Sequence, residues 1–245
     1  MPILRKNMTK KKCIHCYKKT RKNRDYNIKK LEKLKLVVFD MDGVITDTLS
    51  SWKYVHDYFN TSNEKSVEEY IQGKIDDMEF IRRDANLWKE NGKSITQKRL
   101  EELLKDVPLM KGAEECIKHL KENKIKTAIV SAGINVLADN VAKKLRIKDV
   151  LANGVKTDNN GYLNGIGILN VKLMYKDIAI KNLAKKSNIN LENIVAVGNS
   201  CFDIPMFEVS GLGIAFNPED ECTKKAADFV VLEKDLRKIL PYIKK

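Results

Sequence analysis

Two aspartates separated by a single residue, Asp40 and Asp42, directly follow a short apolar run in this 245-residue sequence. The run, at 36–39, reads Leu-Val-Val-Phe, which predicts a buried strand that ends where the aspartates begin. Two carboxylates in such a loop can share the steps of a phosphoryl transfer. One can attack phosphorus and form an aspartyl-phosphate, while the other protonates the leaving oxygen and later activates a water.

A transferred phosphate also needs groups that hold it, and two further parts of the chain offer them. Ser131 follows the apolar run 125–130 and supplies a hydroxyl, and Ala132-Gly133 can expose backbone N–H groups in a turn before a helix. Lys176 supplies a compact positive charge. These residues are therefore the candidates for phosphate binding.

Hard oxygen ligands for a metal recur after a third apolar run. Asn199 and Asp203 follow the predicted strand at 194–197, and their oxygens suit Mg²⁺, which prefers oxygen donors. Bound Mg²⁺ favours the ionised, attacking form of a carboxylate and offsets its repulsion from the phosphate. We therefore predict a magnesium site at Asp40, Asp42, Asn199 and Asp203. Asp203 has a second interpretation, in which it only orients its neighbours.

The elements between these residues must bring them together. Apolar strands alternate with helical segments, which predicts an α/β fold with a doubly wound parallel sheet covered on both faces. Residues 50–106 carry apolar residues at helical spacing and predict a small helical insertion after the first strand. In such sheets the ligand site lies beyond the carboxyl ends of the strands. Three strand ends that carry unusual polar residues therefore predict one shared crevice.

The order of these motifs resembles a known family. The run VVFDMDGVIT, the SAG at 131–133, Lys176 and the run VAVGNSCFDIPMF at 195–207 are similar to the four motifs of the haloacid dehalogenase (HAD) superfamily of phosphatases. The sequence most resembles the archaeal phosphoserine phosphatase-like branch, over residues 34–245. The resemblance implies a Mg²⁺-dependent enzyme that acts on a small phosphorylated metabolite.

The resemblance also implies a role for each matching residue. Asp40 would be the nucleophile and a metal ligand, and Asp42 the acid and base, which binds the metal through its backbone carbonyl. Ser131, Gly133 and Lys176 would hold the phosphate.

The same resemblance divides the chain into a core and a cap. The Rossmann-like catalytic core would comprise residues 34–49 and 107–245. Residues 50–106 would form a cap that closes over the substrate.

The sequence departs from the family pattern at three places. Asn199 stands where the family usually has Asp, so the site has one negative charge fewer, and Phe202 stands where Asn is common. The stretch 48–51, Thr-Leu-Ser-Ser, lacks the Glu with which phosphoserine phosphatases bind the substrate amine. Phosphoserine is therefore one possible substrate and not the default one.

Most of the net charge of +13 lies in one segment. Residues 1–33 hold 13 Lys or Arg and two acidic residues, and they have no apolar periodicity, which predicts a weakly ordered basic tail. Cys13 and Cys16, with His15 between them, resemble half of a zinc site, but a solvated tail with two incidental thiols is favoured. The tail could bind nucleic acid through phosphate contacts, although most charge runs are simply solvated.

Composition limits the remaining classes. Apolar residues make up 43% of the chain and charged residues 32%, which is typical of a folded domain. No apolar run approaches the length of a membrane span, and the five Cys have no disulfide-framework spacing. We therefore predict a cytoplasmic protein without a membrane partner and make no prediction of its oligomeric state.

Three hypotheses about function follow from the sequence. The first is a phosphatase that works through an aspartyl-phosphate. The second is a catalytically weak binding protein with the HAD fold, and the third is a nucleic-acid-associated phosphatase guided by the basic tail.

Overall fold

A computed structural model describes residues 33–243 and contains a central seven-stranded sheet. The strands of this sheet are β1 (Leu36–Phe39), β4 (Lys126–Ile134), β5 (Asp149–Thr157), β6 (Leu163–Ile168), β7 (Ile194–Gly198), β8 (Leu212–Phe216) and β9 (Phe229–Val231). Their spatial order is β6-β5-β4-β1-β7-β8-β9. All neighbouring pairs are parallel except β5 and β6, which are antiparallel. The predicted doubly wound α/β fold is confirmed.

The central strand β1 explains why the sheet is covered on both faces. All four of its residues are buried, as expected of a β-branched and aromatic run in the middle of a parallel sheet. Val37 and Phe39 pack into one hydrophobic cluster, and Leu36 and Val38 pack into a second one. Successive side chains of a strand point to opposite faces, so the two clusters are the two layers that flank the sheet.

The helices follow the strands in the alternation that the sequence predicts. Outside the segment between β1 and β4, the described helices are α6 (Asn135–Leu145), α7 (Lys176–Ser187), α8 (Ile204–Val209) and α9 (Glu221–Ala226). Short 3-10 turns span Leu191–Asn193, Cys201–Asp203 and Leu236–Tyr242. The last of these contains Pro241, which has no N–H to donate to a helical hydrogen bond.

The segment between β1 and β4 is mainly helical, as predicted. It contains α1 (Ser51–Tyr58), α2 (Glu64–Ile71), α3 (Asp77–Leu87), α4 (Gln97–Leu104), α5 (Ala113–Glu122) and a two-stranded ribbon of β2 (Lys89–Glu90) and β3 (Lys93–Ser94). The ribbon was not predicted from the sequence, although Asn91-Gly92 between its strands is a strong hairpin signal. Both residues adopt positive φ, of 51° and 77°, as a type I′ turn requires.

Aromatic packing holds this segment together. The Trp88 side chain is fully buried and stacks on Trp52, with 5.4 Å between the ring centroids. Helix α3 packs against β6, where a side chain at Gly167 would collide with Met78 and Ile81. The segment therefore packs around an aromatic pair that is continuous with the hydrophobic cluster on one face of the sheet, and it contacts the antiparallel edge strand β6.

Several predictions concern parts of the chain that the structure does not describe. Residues 1–32, with Cys13, His15 and Cys16, lie outside the described residues, so the weakly ordered tail, the zinc half-site and nucleic-acid binding stay predictions. Within residues 33–243, none of the helices combines the length and apolar character needed to span a membrane. The division into core and cap and the cytoplasmic location also stay predictions.

Candidate active site

Three adjacent strands end beside one another at the carboxyl edge of the sheet. Strand β1 pairs with β4 on one side and with β7 on the other, in parallel in both cases. Asp40 follows β1, Ser131 lies near the end of β4, and Asn199 follows β7. Because parallel strands end at the same edge, the topology brings the three predicted groups of residues together.

Lys176 connects two of the aspartates. It is the first residue of α7, and its Nζ lies 3.0 Å from Asp40 Oδ1 and 2.7 Å from Asp203 Oδ1. All three side chains are buried. Two carboxylates that flank one ammonium group form a charged cluster that is shielded from water, in which electrostatic interactions are strong.

The balance of burial and charge sets the protonation of this cluster. Burial raises the pKa of Asp40, the charge of Lys176 opposes that rise, and the charge of Asp203 adds to it. Burial alone would lower the pKa of Lys176, but the charges of Asp203 and Asp40 outweigh burial and raise it. Lys176 therefore stays protonated and supplies a permanent positive charge beside the candidate nucleophile.

Asp203, the one aspartate of the run 195–207, has both of its oxygens engaged. Asp203 Oδ2 accepts hydrogen bonds from the backbone N–H groups of Asn199 and Ser200 at 2.9 and 3.0 Å. Its Oδ1 is the atom that contacts Lys176. This geometry favours the interpretation in which Asp203 orients Asn199 and Lys176, while its direct ligation of a metal stays a prediction.

Asp42 is held by the first residue of α1. The backbone N–H and the hydroxyl of Ser51 both donate to Asp42 Oδ2, each at 2.8 Å. Burial raises the pKa of Asp42 from 3.8 to about 7, and the Ser51 hydrogen bonds only partly oppose this shift. A carboxyl with a pKa near neutrality can give and take a proton at physiological pH, which suits a general acid and base.

The SAG sequence ends a strand and does not form the predicted turn. Residues 131–133 belong to β4, whose register against β5 shifts between Val130 and Ile134. The Gly133 N–H donates to Ser131 Oγ at 3.1 Å, and the Ile134 N–H donates to Ser51 Oγ at 2.9 Å. The structure therefore places Ser131, Ala132 and Gly133 next to the site, on a bulged strand end directly before α6.

The donor set fits a hard divalent cation. Asp42 Oδ1 is buried and receives no hydrogen bond from any described residue, and Asp40 Oδ1 is buried against the ammonium group of Lys176, at 3.0 Å. Unpartnered buried carboxylate oxygens are costly unless a cation or a proton donor meets them. The buried amide of Asn199 lies against Gly43, where an added Cβ would come within 2.2 Å of Asn199 Nδ2. Oxygens of Asp40, Asp42 and Asn199 are the kinds of ligand that Mg²⁺ takes.

We expect the metal-free protein to lose stability as the pH rises from about 4.5 to 7.5, and Asp42→Asn to remove part of this slope. With a pKa of about 7 in the folded chain and 3.8 as the reference value, Asp42 binds more protons in the folded state than in the unfolded state across this window. Each pH unit then costs up to about 1.4 kcal/mol for this group. Urea unfolding in EDTA at several pH values measures the slope, and parallel curves for both proteins would contradict the expectation.

Sequence reasoning missed two contacts of α1 with the site. Ser51 donates to Asp42, and the Trp52 indole N–H donates to the Ala132 carbonyl at 3.0 Å. The helical spacing that places Trp52 on the inner face of α1 was the only feature of the sequence that hinted at these contacts. Their bonding partners, Asp42 and Ala132, cannot be identified from this spacing. Arg82 and Arg83 of the same segment pair with its glutamates, Glu69 and Glu79.

Comparison with known proteins places these features in context. The model of the haloacid dehalogenase-like hydrolase family matches residues 34–211. The phosphoserine phosphatase of Methanocaldococcus jannaschii is 29% identical over 214 residues, which cover 87% of this chain and 99% of the relative. The solved structure of a substrate-bound phosphoserine phosphatase complex is 30% identical, with a TM-score of 0.73 over 86% of this chain and 99% of that one. A phospho-aspartyl intermediate analogue of phosphoserine phosphatase gives the same TM-score and coverage at 31% identity.

Proposed function

The chain belongs to the haloacid dehalogenase-like hydrolase family, and on that basis we propose that it is a magnesium-dependent phosphatase of a small phosphorylated metabolite. The observation that carries the proposal is the buried cluster of Asp40, Lys176 and Asp203 beside Asp42. A buried carboxylate paired with a permanent cation, beside a second carboxyl group that has an unpartnered buried oxygen, is suited to attack an anionic phosphoryl group.

The reaction follows from the positions of these groups. Asp40 attacks phosphorus, the bond to the leaving oxygen breaks, and an aspartyl-phosphate forms. Asp42 gives its proton to the leaving oxygen, and then takes a proton from the water that hydrolyses the aspartyl-phosphate. The pKa of about 7 for Asp42 supports both steps near neutral pH. Lys176 offsets the negative charge of the phosphoryl group throughout.

Asp40, Asp42 and Asn199 are the proposed holders of Mg²⁺. When bound, the metal neutralises charge that develops on the phosphoryl oxygens. Asp203 is proposed to act mainly through its neighbours, because it holds the backbone of Asn199 and the ammonium group of Lys176. Ser131, Ala132 and Gly133 are the proposed phosphate-binding residues, at the end of the strand beside β1.

We propose that residues 50–106 form a cap on the core of residues 34–49 and 107–245. Two contacts support this role: Ser51 is bonded to Asp42, and Trp52 is bonded to Ala132. Asp40, Ser131 and Lys176 are at most 5% exposed. A buried site of this kind requires the cap to move before a substrate can enter, and a closed cap excludes water from the reacting groups.

Among the described residues, the stretch 48–51 after Asp40 and Asp42 offers no carboxylate to a substrate amine. Ser51 donates both its backbone N–H and its hydroxyl to Asp42, and the apolar side chain of Leu49 is 66% exposed. The relatives named above are phosphoserine phosphatases, so phosphoserine belongs among the candidate substrates, together with small phosphate esters that lack an amine.

Phosphate release from p-nitrophenyl phosphate and from a panel of small phosphomonoesters, with Mg²⁺ or with EDTA, tests the proposal. We expect release that requires Mg²⁺ and that differs strongly between esters. If no ester of the panel releases phosphate although Mg²⁺ binds, the hypothesis of a catalytically weak binding protein is favoured instead.

A further inference from the structure

The side chain of Asn199 is hydrogen-bonded to the carboxylate of Glu219, a residue that lies outside the four sequence motifs. The side-chain Nδ2 of Asn199 donates to Glu219 Oε1 at 2.9 Å. In return, the backbone N–H of Glu219 donates to the backbone carbonyl of Asn199 at 2.8 Å. Glu219 lies in the loop between β8 and α9, so two hydrogen bonds tie this loop to the end of β7.

This pairing determines which atom of the amide faces Glu219. A carboxylate can only accept hydrogen bonds, so the NH₂ group of Asn199, and not its oxygen, must meet Glu219. Because Nδ2 and Oδ1 point in different directions from Cγ, the amide oxygen then points away from Glu219. Of the amide atoms, Nδ2 lies nearest the Cβ position of Gly43, at 2.2 Å, and Oδ1 lies farther from it, at 3.5 Å. Glu219 therefore fixes Nδ2 on its own side and leaves the oxygen of Asn199 on the branch that remains available to a cation.

Glu219 also provides a charge that Asn199 lacks. An amide oxygen is a neutral ligand, whereas the carboxylate one hydrogen bond behind it carries a full negative charge. The Glu219 side chain is exposed while Asn199 is only 4% exposed. The charge is thus placed behind the ligand, on the solvent side of the site. Outer partners of this kind orient metal ligands, and their loss typically lowers metal affinity about 10- to 100-fold.

We propose that Glu219 is a positioning residue of the magnesium site, which fixes the Asn199 amide and supplies from behind it the negative charge that Asn199 does not bring. The inference rests on the proposed magnesium site and adds to it a residue in a different loop. Its effect is on metal affinity, through Asn199, and it makes no contact with the reacting atoms.

Metal binding to the full chain tests this inference without any substrate. Isothermal titration with Mg²⁺ and electron paramagnetic resonance with Mn²⁺ give the dissociation constants of wild type, Glu219→Ala, Glu219→Gln and Glu221→Gln. Glu221 is the matched control, because it is an exposed acid two residues away that pairs with Lys224. We expect affinity to fall about tenfold in Glu219→Ala and to stay within twofold in Glu221→Gln. Glu219→Gln keeps a hydrogen-bond acceptor but loses the charge, so its metal affinity should lie between those of Glu219→Ala and Glu221→Gln.

A charge exchange provides the second arm. Asn199→Asp with Glu219→Gln moves the negative charge from the outer to the inner position and keeps a donor–acceptor pair. We expect this double variant to recover the affinity that Glu219→Gln loses, so that the two substitutions are non-additive. Equal affinity of wild type and Glu219→Ala, or a lower melting temperature of the metal-free variant without a change in affinity, would overturn the inference. Absence of metal binding by wild type would instead overturn the proposed function.

Discussion

Replacing Asp40 by Asn is expected to lower phosphate release by about 10⁴-fold or more, the scale of loss seen when a covalent nucleophile is removed. Asn has almost the same shape but neither the charge nor the nucleophilic oxygen of a carboxylate. Because Asp40 is 5% exposed and lies between Lys176 and the strand end, the amide should fit without a change of fold. Steady-state phosphate release at saturating Mg²⁺ measures the loss.

Asp47→Asn is the matched control for this experiment. Asp47 lies seven residues further along the chain, is exposed, and pairs with Lys234 at the surface. We expect it to keep activity within a few-fold of wild type. Beryllofluoride with Mg²⁺, which mimics an aspartyl-phosphate, should raise the melting temperature of wild type and of Asp47→Asn, but not of Asp40→Asn. A variant at position 40 that keeps several per cent of the activity would rule out Asp40 as the nucleophile.

The placement of the candidate site could be predicted because it depends on topology more than on side-chain detail. Asp40 and Asn199 each follow a run of buried apolar residues, and such runs alternate with helical segments along the chain. That alternation implies parallel strands, and parallel strands share a carboxyl edge. The family resemblance rested on the same residues, and the match over residues 34–211 confirms it.

Contacts between distant residues could not be predicted in this way. The bonds of Ser51 to Ile134 and of Trp52 to Ala132 join residues 83 and 80 positions apart, and no local period encodes such a pairing. Glu219 belongs to a polar loop whose composition resembles many solvated loops. Its importance appears only when β8 is placed next to β7 and the loop reaches Asn199.

One wrong expectation has a different cause. The residues of the SAG sequence are small and precede a helix, which favours a turn, but here they continue β4 as a bulged strand end. The hydroxyl oxygen of Ser51, in α1, accepts a hydrogen bond from the backbone N–H of Ile134. A turn at this place would have left that N–H without a hydrogen-bond partner. A contact from the inserted segment thus stabilises a strand conformation that local propensity does not favour, as tertiary interactions commonly do.

Replacing Lys176 by Met is expected to destabilise the metal-free protein by about 3–5 kcal/mol, the usual consequence of removing one partner from a buried ion pair. Met keeps most of the side-chain volume, so the loss reports the charge. Asp40 and Asp203 would then face each other in a buried site with no cation between them. Burial already raises the pKa of Asp40 with Lys176 in place, and the loss of the Lys176 charge raises it further.

The dependence of that loss on pH and on Mg²⁺ separates charge from packing. The protonated form of Asp40 carries no charge to bury, so the destabilisation should shrink as the pH falls from about 8 to 5, and Mg²⁺ should offset part of it at pH 8. Lys181→Met is the control on the same helix, since Lys181 is an exposed partner of Asp177 and should cost less than about 1 kcal/mol. Urea unfolding of both variants measures these differences. A loss that is the same at pH 5 and pH 8, with and without Mg²⁺, would mean that Lys176 acts through packing and that Asp40 does not depend on its charge.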